Sequence, residues 1–99
     1  MTAYVIGEVE VTEPKIYEGY RKQVLATIEK YGGRFMARGG KAEQLEGSWT
    51  PGRIVVLEFP SYEQALKWYR SPEYAPLIKL RQSASRGELI LVEGAQASG

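Results

Sequence analysis

Glu8 and Glu58 occupy late positions in two alternating apolar stretches, "AYVIGEVEV" and "RIVVLEF". The two stretches are expected to be strands that neighbour each other in parallel, which puts both carboxylates on the open sheet face, close enough to interact. Two carboxylates in a partly dry cavity push one pKa upward, which is one way to keep a general acid or base near neutral pH. The rival reading is structural: Arg34 or Arg38 pairs with them, or they sit at a wet rim. Arg38, Arg53 and Arg81 could grip an anion, because a guanidinium fork matches a carboxylate bidentately. Arg81 follows Leu77 and Ile78 by three or four residues, so its stem can run along apolar surface toward a cleft. A structural pair with Glu46 or Glu58 is its alternative.

A third group surrounds a helix break. The stretch "WYRSPEYAPLIKLR", residues 68 to 81, contains two prolines and three large aromatics in an otherwise helical pattern. Trp68, Tyr69 and Tyr74 border the break, where amphipathic rings can line a pocket while their polar tips find partners. Ser71 stands at the break itself. Tyr17 and Tyr20 could add phenols from an earlier helix. Packing in the core is the alternative for Trp68, and membership of a plain apolar stripe for the two tyrosines.

Other chemistry is excluded by what is missing. The sequence has no His, Cys, Asp or Asn. Ser-His-Asp and Cys-His nucleophiles need an imidazole, structural zinc needs thiolates or imidazoles, and the EF-hand loop needs Asp or Asn. No Gly-rich stretch has phosphate-loop or dinucleotide spacing. Neither a metal nor a cofactor is therefore expected. A net charge of +1 lacks the basic excess of a nucleic-acid binder. No apolar run is long enough to span a membrane, and "MTAYVIGEVEV" does not read as a signal peptide. With no Cys, these features point to the cytoplasm.

The elements that must position these residues follow from periodicity. Residues 3 to 11 alternate as a strand. Thr12 as N-cap, Glu13 in the first turn and Pro14 open a helix over 13 to 31, striped by Ile16, Tyr20, Val24, Ile28 and Tyr31 and stopped by Gly32-Gly33. "RFMARGG" reads as a strand with Phe35 and Ala37 opposite Arg34, Met36 and Arg38, and with a bulge or bend at Gly39-Gly40. Residues 53 to 59 form a β-branched strand. Ser61 and Gln64 cap a helix carrying Ala65, Leu66, Trp68 and Tyr69, which Ser71-Pro72 ends. A second helical segment covers roughly 74 to 84 with Pro76 in its first turn, and "ELILVEG" is the last strand.

The order βαββαβ is the ferredoxin-like α+β pattern. A length of 99 residues suits one domain, placed at 1–94, with a short tail over 95–99. One sheet face packs on the helices. The other would carry Tyr4, Ile6, Met36, Ile54, Val56 and either Ile90 or Leu91, too apolar for a solvated surface. A second copy of the sheet is the economical cover, so a twofold homodimer through the open face is expected.

The features "ARGG", "LEG", the run from Pro51 to Ser61, "WYRSPEY", Arg81 and the terminal "VEG" together resemble the short bacterial proteins grouped as domain of unknown function 1330. The resemblance spans most of residues 3 to 94. It implies the dimeric α+β barrel superfamily, in which two ferredoxin-like sheets pair into one barrel, and it implies no established reaction. Related barrels include cofactor-independent oxygenases or isomerases, and haem binders whose His this chain lacks. Two functions then compete. One is a homodimer binding a small, partly apolar, anionic organic molecule between the sheet and the broken helix, with cofactor-independent proton transfer or oxygenation as its chemistry. The other is a non-enzymatic dimer whose polar residues only fix register and pairing.

Overall fold

A computed structural model describes residues 1–95. Strands β1 (Ala3–Val11), β2 (Arg34–Arg38), β3 (Arg53–Phe59) and β4 (Ser85–Glu93) form one sheet in the order β2-β3-β1-β4, every neighbouring pair antiparallel. Helices α1 (Pro14–Lys30), α2 (Tyr62–Tyr69) and α3 (Ala75–Ala84) complete the ferredoxin-like α+β subunit. The residues expected as a tail lie, beyond Ala95, outside the described residues.

Alternation decides what each sheet face does. Ala3, Val5 and Val9 of β1 are buried, as are Leu57 and Phe59 of β3, and with Tyr17, Tyr20, Val24, Ile28, Trp68 and Leu77 from the helices they form the core. Tyr4, Ile6, Ile54 and Val56 are only half-buried on the other face. The β1–β4 register pairs Ile6 with Ile90 and Val5 with Leu91. Ile90, 60% exposed, therefore lies on the open face, while Leu91 packs toward the core.

Helix α1 starts differently from the expectation. Glu13 is the N-cap residue, without a side-chain cap bond, and Pro14 is the first helical residue. Thr12 is not the cap, because the backbone N–H groups of both Thr12 and Glu13 donate to the Ala84 carbonyl at 2.8 and 3.0 Å. The orphan carbonyl at the end of α3 thereby closes the turn that a threonine hydroxyl would have closed. At the other end Gly32 takes φ +81°, and the Gly33 amide donates to the Ile28 carbonyl at 2.9 Å, the expected left-handed stop. The Ser61 hydroxyl caps α2 by accepting from the Gln64 N–H at 3.0 Å. Pro76 sits in the first turn of α3. Strand β4 begins at Ser85, three residues before the expected "ELILVEG", because β1 extends to Val11 and pairs it with Ser85.

The bulge in β2 lies at Met36, between Phe35 and Ala37, and not at the two glycines. Phe35 pairs with Leu57 and Arg38 with Val55, both partners on the helix-facing side, whereas Arg34 and Ala37 pair with Glu58 and Val56. One extra residue inverts the alternation. Arg38 thus shares the face of Phe35, contrary to simple alternation. Gly39 next to it takes φ +74°, where a Cβ would collide with the Arg53 guanidinium.

An arginine- and tyrosine-lined cavity between helices and sheet

The cavity lies between the sheet and helices α1 and α3 and offers about 40 Å³ to water-sized occupants. Apolar side chains from the core make most of its wall, and its polar surface comes from Arg21, Arg38, Arg53, Arg81 and the phenols of Tyr17, Tyr20 and Tyr74. Among the described residues no acidic one lines it.

Two arginines come from the sheet. The Arg38 guanidinium lies 4.1 Å over the Phe35 ring, and its Nη2 donates to the Arg21 carbonyl at 2.9 Å. Burial draws its pKa down, and the neighbouring charges of Arg21 and Arg53 add to the effect. Arg53 holds its guanidinium 5.9 Å from the centre of the Tyr17 ring, and its buried Nε has no hydrogen-bond partner. Arg81 enters from α3. It is 8% exposed, and its Nε is likewise buried without a partner. Among the described residues the ion pairs are Arg21–Glu18, Lys30–Glu73, Arg34–Glu58 and Arg86–Glu10, so Arg38, Arg53 and Arg81 each lack a carboxylate.

The phenols of Tyr20 and Tyr74 are neutral donors and acceptors. Tyr20 and Tyr74 share a 2.8 Å bond between their hydroxyls. Burial raises the pKa of both, and for Tyr74 the Tyr20 hydroxyl and the Arg81 charge pull part of the way back. Trp68 stacks on Tyr74 with ring centres 4.1 Å apart and planes 26° apart, and its indole N–H donates to Thr27 Oγ1 at 3.0 Å. Trp68 is therefore both core and cavity wall.

The structure brings Arg38, Arg81, Trp68, Tyr74 and Tyr17 to one cavity. Tyr69 and Ser71 stand outside it. Tyr69 is 38% exposed and meets Tyr74 edge-on at 5.9 Å, and it borders a different groove with Leu89 and Leu91. The Ser71 hydroxyl donates to the Trp68 carbonyl at 2.7 Å and accepts from the Tyr74 N–H at 3.1 Å, joining α2 to α3 across the proline break.

Glu8 and Glu58 are not neighbours. Strands β1 and β3 run antiparallel, with Glu8 opposite Ile54 and Glu58 opposite Tyr4. Four residues of strand, about 13 Å, separate the two positions. In a βαββαβ sheet the strand between the two crossover-linked strands must run against both, which the parallel reading overlooked. Each carboxylate has its own partner. Glu58 accepts from Arg34 Nε at 2.9 Å, and Glu8 accepts from the Trp49 indole N–H at 3.0 Å and the Gly52 N–H at 2.9 Å, tying down the loop between β2 and β3.

Sequence reasoning missed Arg21. It lies four residues after Tyr17 on α1, so helical spacing places it beside that ring, and this signal was available.

Fold and site together define a ferredoxin-like α+β subunit with an arginine-lined pocket between sheet and helices. The chain belongs to the family described as domain of unknown function (DUF1330), which matches residues 2–95. No curated protein matches it. Solved structures with the same fold include a protein of unknown function from Rhodopseudomonas palustris, 19% identical, covering 96% of this chain and 83% of that one with TM-score 0.77. SnoaB, a cofactor-independent oxygenase from Streptomyces nogalater, is 14% identical, with 97% and 95% coverage and TM-score 0.66. An antibiotic biosynthesis monooxygenase is 11% identical, with 97% and 100% coverage and TM-score 0.58. Among the described residues no helix is long and apolar enough to cross a membrane, and no acidic cluster could hold a metal ion.

Proposed function

We propose that the protein is a cytoplasmic homodimer, paired through its open sheet face, that binds a small, partly apolar organic anion in the cavity between sheet and helices. The observation that carries the binding reading is the set of three arginines, Arg38, Arg53 and Arg81, that reach the cavity without a carboxylate partner. A buried unpaired charge is costly to keep, and an anionic ligand would offset that cost. The apolar open face, with Ile90 and Val92 60% and 41% exposed, supports the pairing.

Chemistry in this cavity would begin from a substrate that is already an anion. The lining offers no carboxylate base, and Tyr20 and Tyr74 hold their protons. Guanidinium groups stabilise an enolate or phenolate electrostatically, which is what proton transfer or oxygenation without a cofactor requires. The fold likeness to SnoaB is compatible with the oxygenase form of this idea.

The second reading, a dimer without catalysis, draws support from Glu8 and Glu58, whose carboxylates are both engaged in structural contacts. Thermal shift with a panel of small carboxylates, phenols and quinones separates the two. A ligand at about 100 times its Kd adds about 2.7 kcal/mol, or at least about 10 °C in a domain of this size. If nothing in the panel raises the melting temperature, and Arg38→Ala and Arg81→Ala match the parent protein throughout, the non-binding reading stands.

A further inference from the structure

The cavity's charge and size define its occupant more narrowly than "organic anion". Arg38 and Arg53 line the cavity from β2 and β3, and Arg81 lines it from α3, so arginines of both layers border the same space. With no acid in the wall, three guanidiniums are uncompensated, and a monoanion would leave two of them so. Two of the guanidiniums also keep a buried Nε without an acceptor, one on each wall: Arg53 on the sheet side and Arg81 on the helix side. A ligand that satisfies both must present acceptors in two directions. The hydroxyls of Tyr20 and Tyr74 already pair with each other and cannot supply a negative partner.

Size sets the other limit. The space open to the centres of water-sized occupants is about 40 Å³. That suits a short acyl chain or a single tetrahedral anion and is too little for a fused ring system.

We propose that the pocket is built for a compact dianion held between Arg81 of the helix layer and Arg38 and Arg53 of the sheet layer. This rests on the anion-binding reading above and adds charge and size to it. A short dicarboxylate and inorganic phosphate share the required chemistry. A dicarboxylate directs one carboxylate to each wall, and phosphate directs its oxygens to both.

Titration calorimetry on the intact protein tests the proposal, at about pH 8 where both probes are dianions and at fixed ionic strength, with oxalate, malonate, phosphate, acetate and phthalate. The expected result is that oxalate, malonate or phosphate binds at least about tenfold more tightly than acetate, equivalent to about 1.4 kcal/mol, and that phthalate is excluded. Whether the dicarboxylates or phosphate bind best identifies the source of the dianion, and either result supports the proposal. Arg53→Gln and Arg81→Gln should each erase the preference over acetate, with urea unfolding confirming that the variants fold. Acetate binding as tightly as malonate and phosphate would overturn the dianion while leaving the anion site intact. Phthalate binding best would overturn the size limit. If no acid or phosphate binds, the anion-binding reading falls as well.

Discussion

Arg38 lies over the ring of Phe35, three residues earlier on the same strand, with its guanidinium carbon 4.1 Å from the ring centre. In a regular strand residues i and i+3 point to opposite faces, so this contact exists only because the Met36 bulge consumes one residue of register. The bulge is the device that turns a cation inward. Cation–π attraction of about 0.5–2 kcal/mol at a partly desolvated site then holds it against the cavity wall.

Deleting Met36 should give a regular strand that still pairs Phe35 with Leu57 and Arg38 with Val55, because without the extra residue the two lie two positions apart and share the helix-facing side. Strand β2 is at the sheet edge, so the fold should survive the deletion. The expected outcome is a folded protein, by circular dichroism and urea unfolding, that keeps its anion-induced thermal shift. A deletion variant that folds and loses the shift would show that the bulge itself, and not only the face Arg38 occupies, shapes the site.

Trp68 should matter for stability before it matters for binding. It is 1% exposed, stacks on Tyr74 and bonds Thr27. Trp68→Ala should cost about 3–5 kcal/mol, the usual range for a buried large aromatic. Trp68→Phe keeps a stacking ring and loses the indole donor, so it should cost less, with about 1 kcal/mol of that loss from the bond itself. Urea midpoints measure both. A near-neutral Trp68→Ala would mean that the ring is a cavity lining without a packing role.

The sequence and the structure part company at particular residues for physical reasons. Alternation in β1 and β3 and the 3.6-residue stripe of α1 are local signals, and they gave the element order and the ferredoxin-like fold. The inward stem of Arg81 was equally legible, because its apolar neighbours Leu77 and Ile78 lie on the same short helix. What failed depended on pairing between distant segments. The Met36 bulge exists relative to Leu57 and Val56, the closure at Thr12 depends on the Ala84 carbonyl, and the separation of Glu8 from Glu58 depends on strand direction. None of these partners is within reach of a local pattern.

Glu73 should give the protein an acid-sensitive contact between α1 and the turn before α3. Its carboxylate accepts from Lys30 Nζ at 2.5 Å and from the Tyr31 hydroxyl at 2.7 Å. These bonds, with that of Lys30 the largest, lower its pKa from 4.5 to about 2. A depressed folded-state pKa contributes stability that is complete above the unfolded value and is lost as pH falls from 4.5 toward 2. The stability difference between the parent protein and Glu73→Gln should be constant above about pH 5.5 and shrink steadily below 4.5. Urea unfolding across that range measures it, and a difference that does not change with pH would show that the carboxylate is not held by these bonds in solution.

Arg81 should carry the clearest conflict between stability and function. Its Nε is buried without an acceptor, and among the described residues no carboxylate pairs with it, so the charge has no ionic partner to offset its burial. Replacing a buried ion pair by hydrophobic side chains of similar volume is often neutral or stabilising by about 1–4 kcal/mol, and a buried charge with no carboxylate partner has no pairing energy to lose. Arg81→Met should therefore raise the melting temperature of the ligand-free protein, by about 4–8 °C for each kcal/mol gained, while abolishing the further rise that a bound anion produces. A structural arginine would behave in the opposite way, because removing it would take away the donor it offers the Tyr74 hydroxyl and lower the melting temperature. Scanning calorimetry with and without malonate reads both effects in one experiment, and a destabilised ligand-free Arg81→Met would assign the residue to folding.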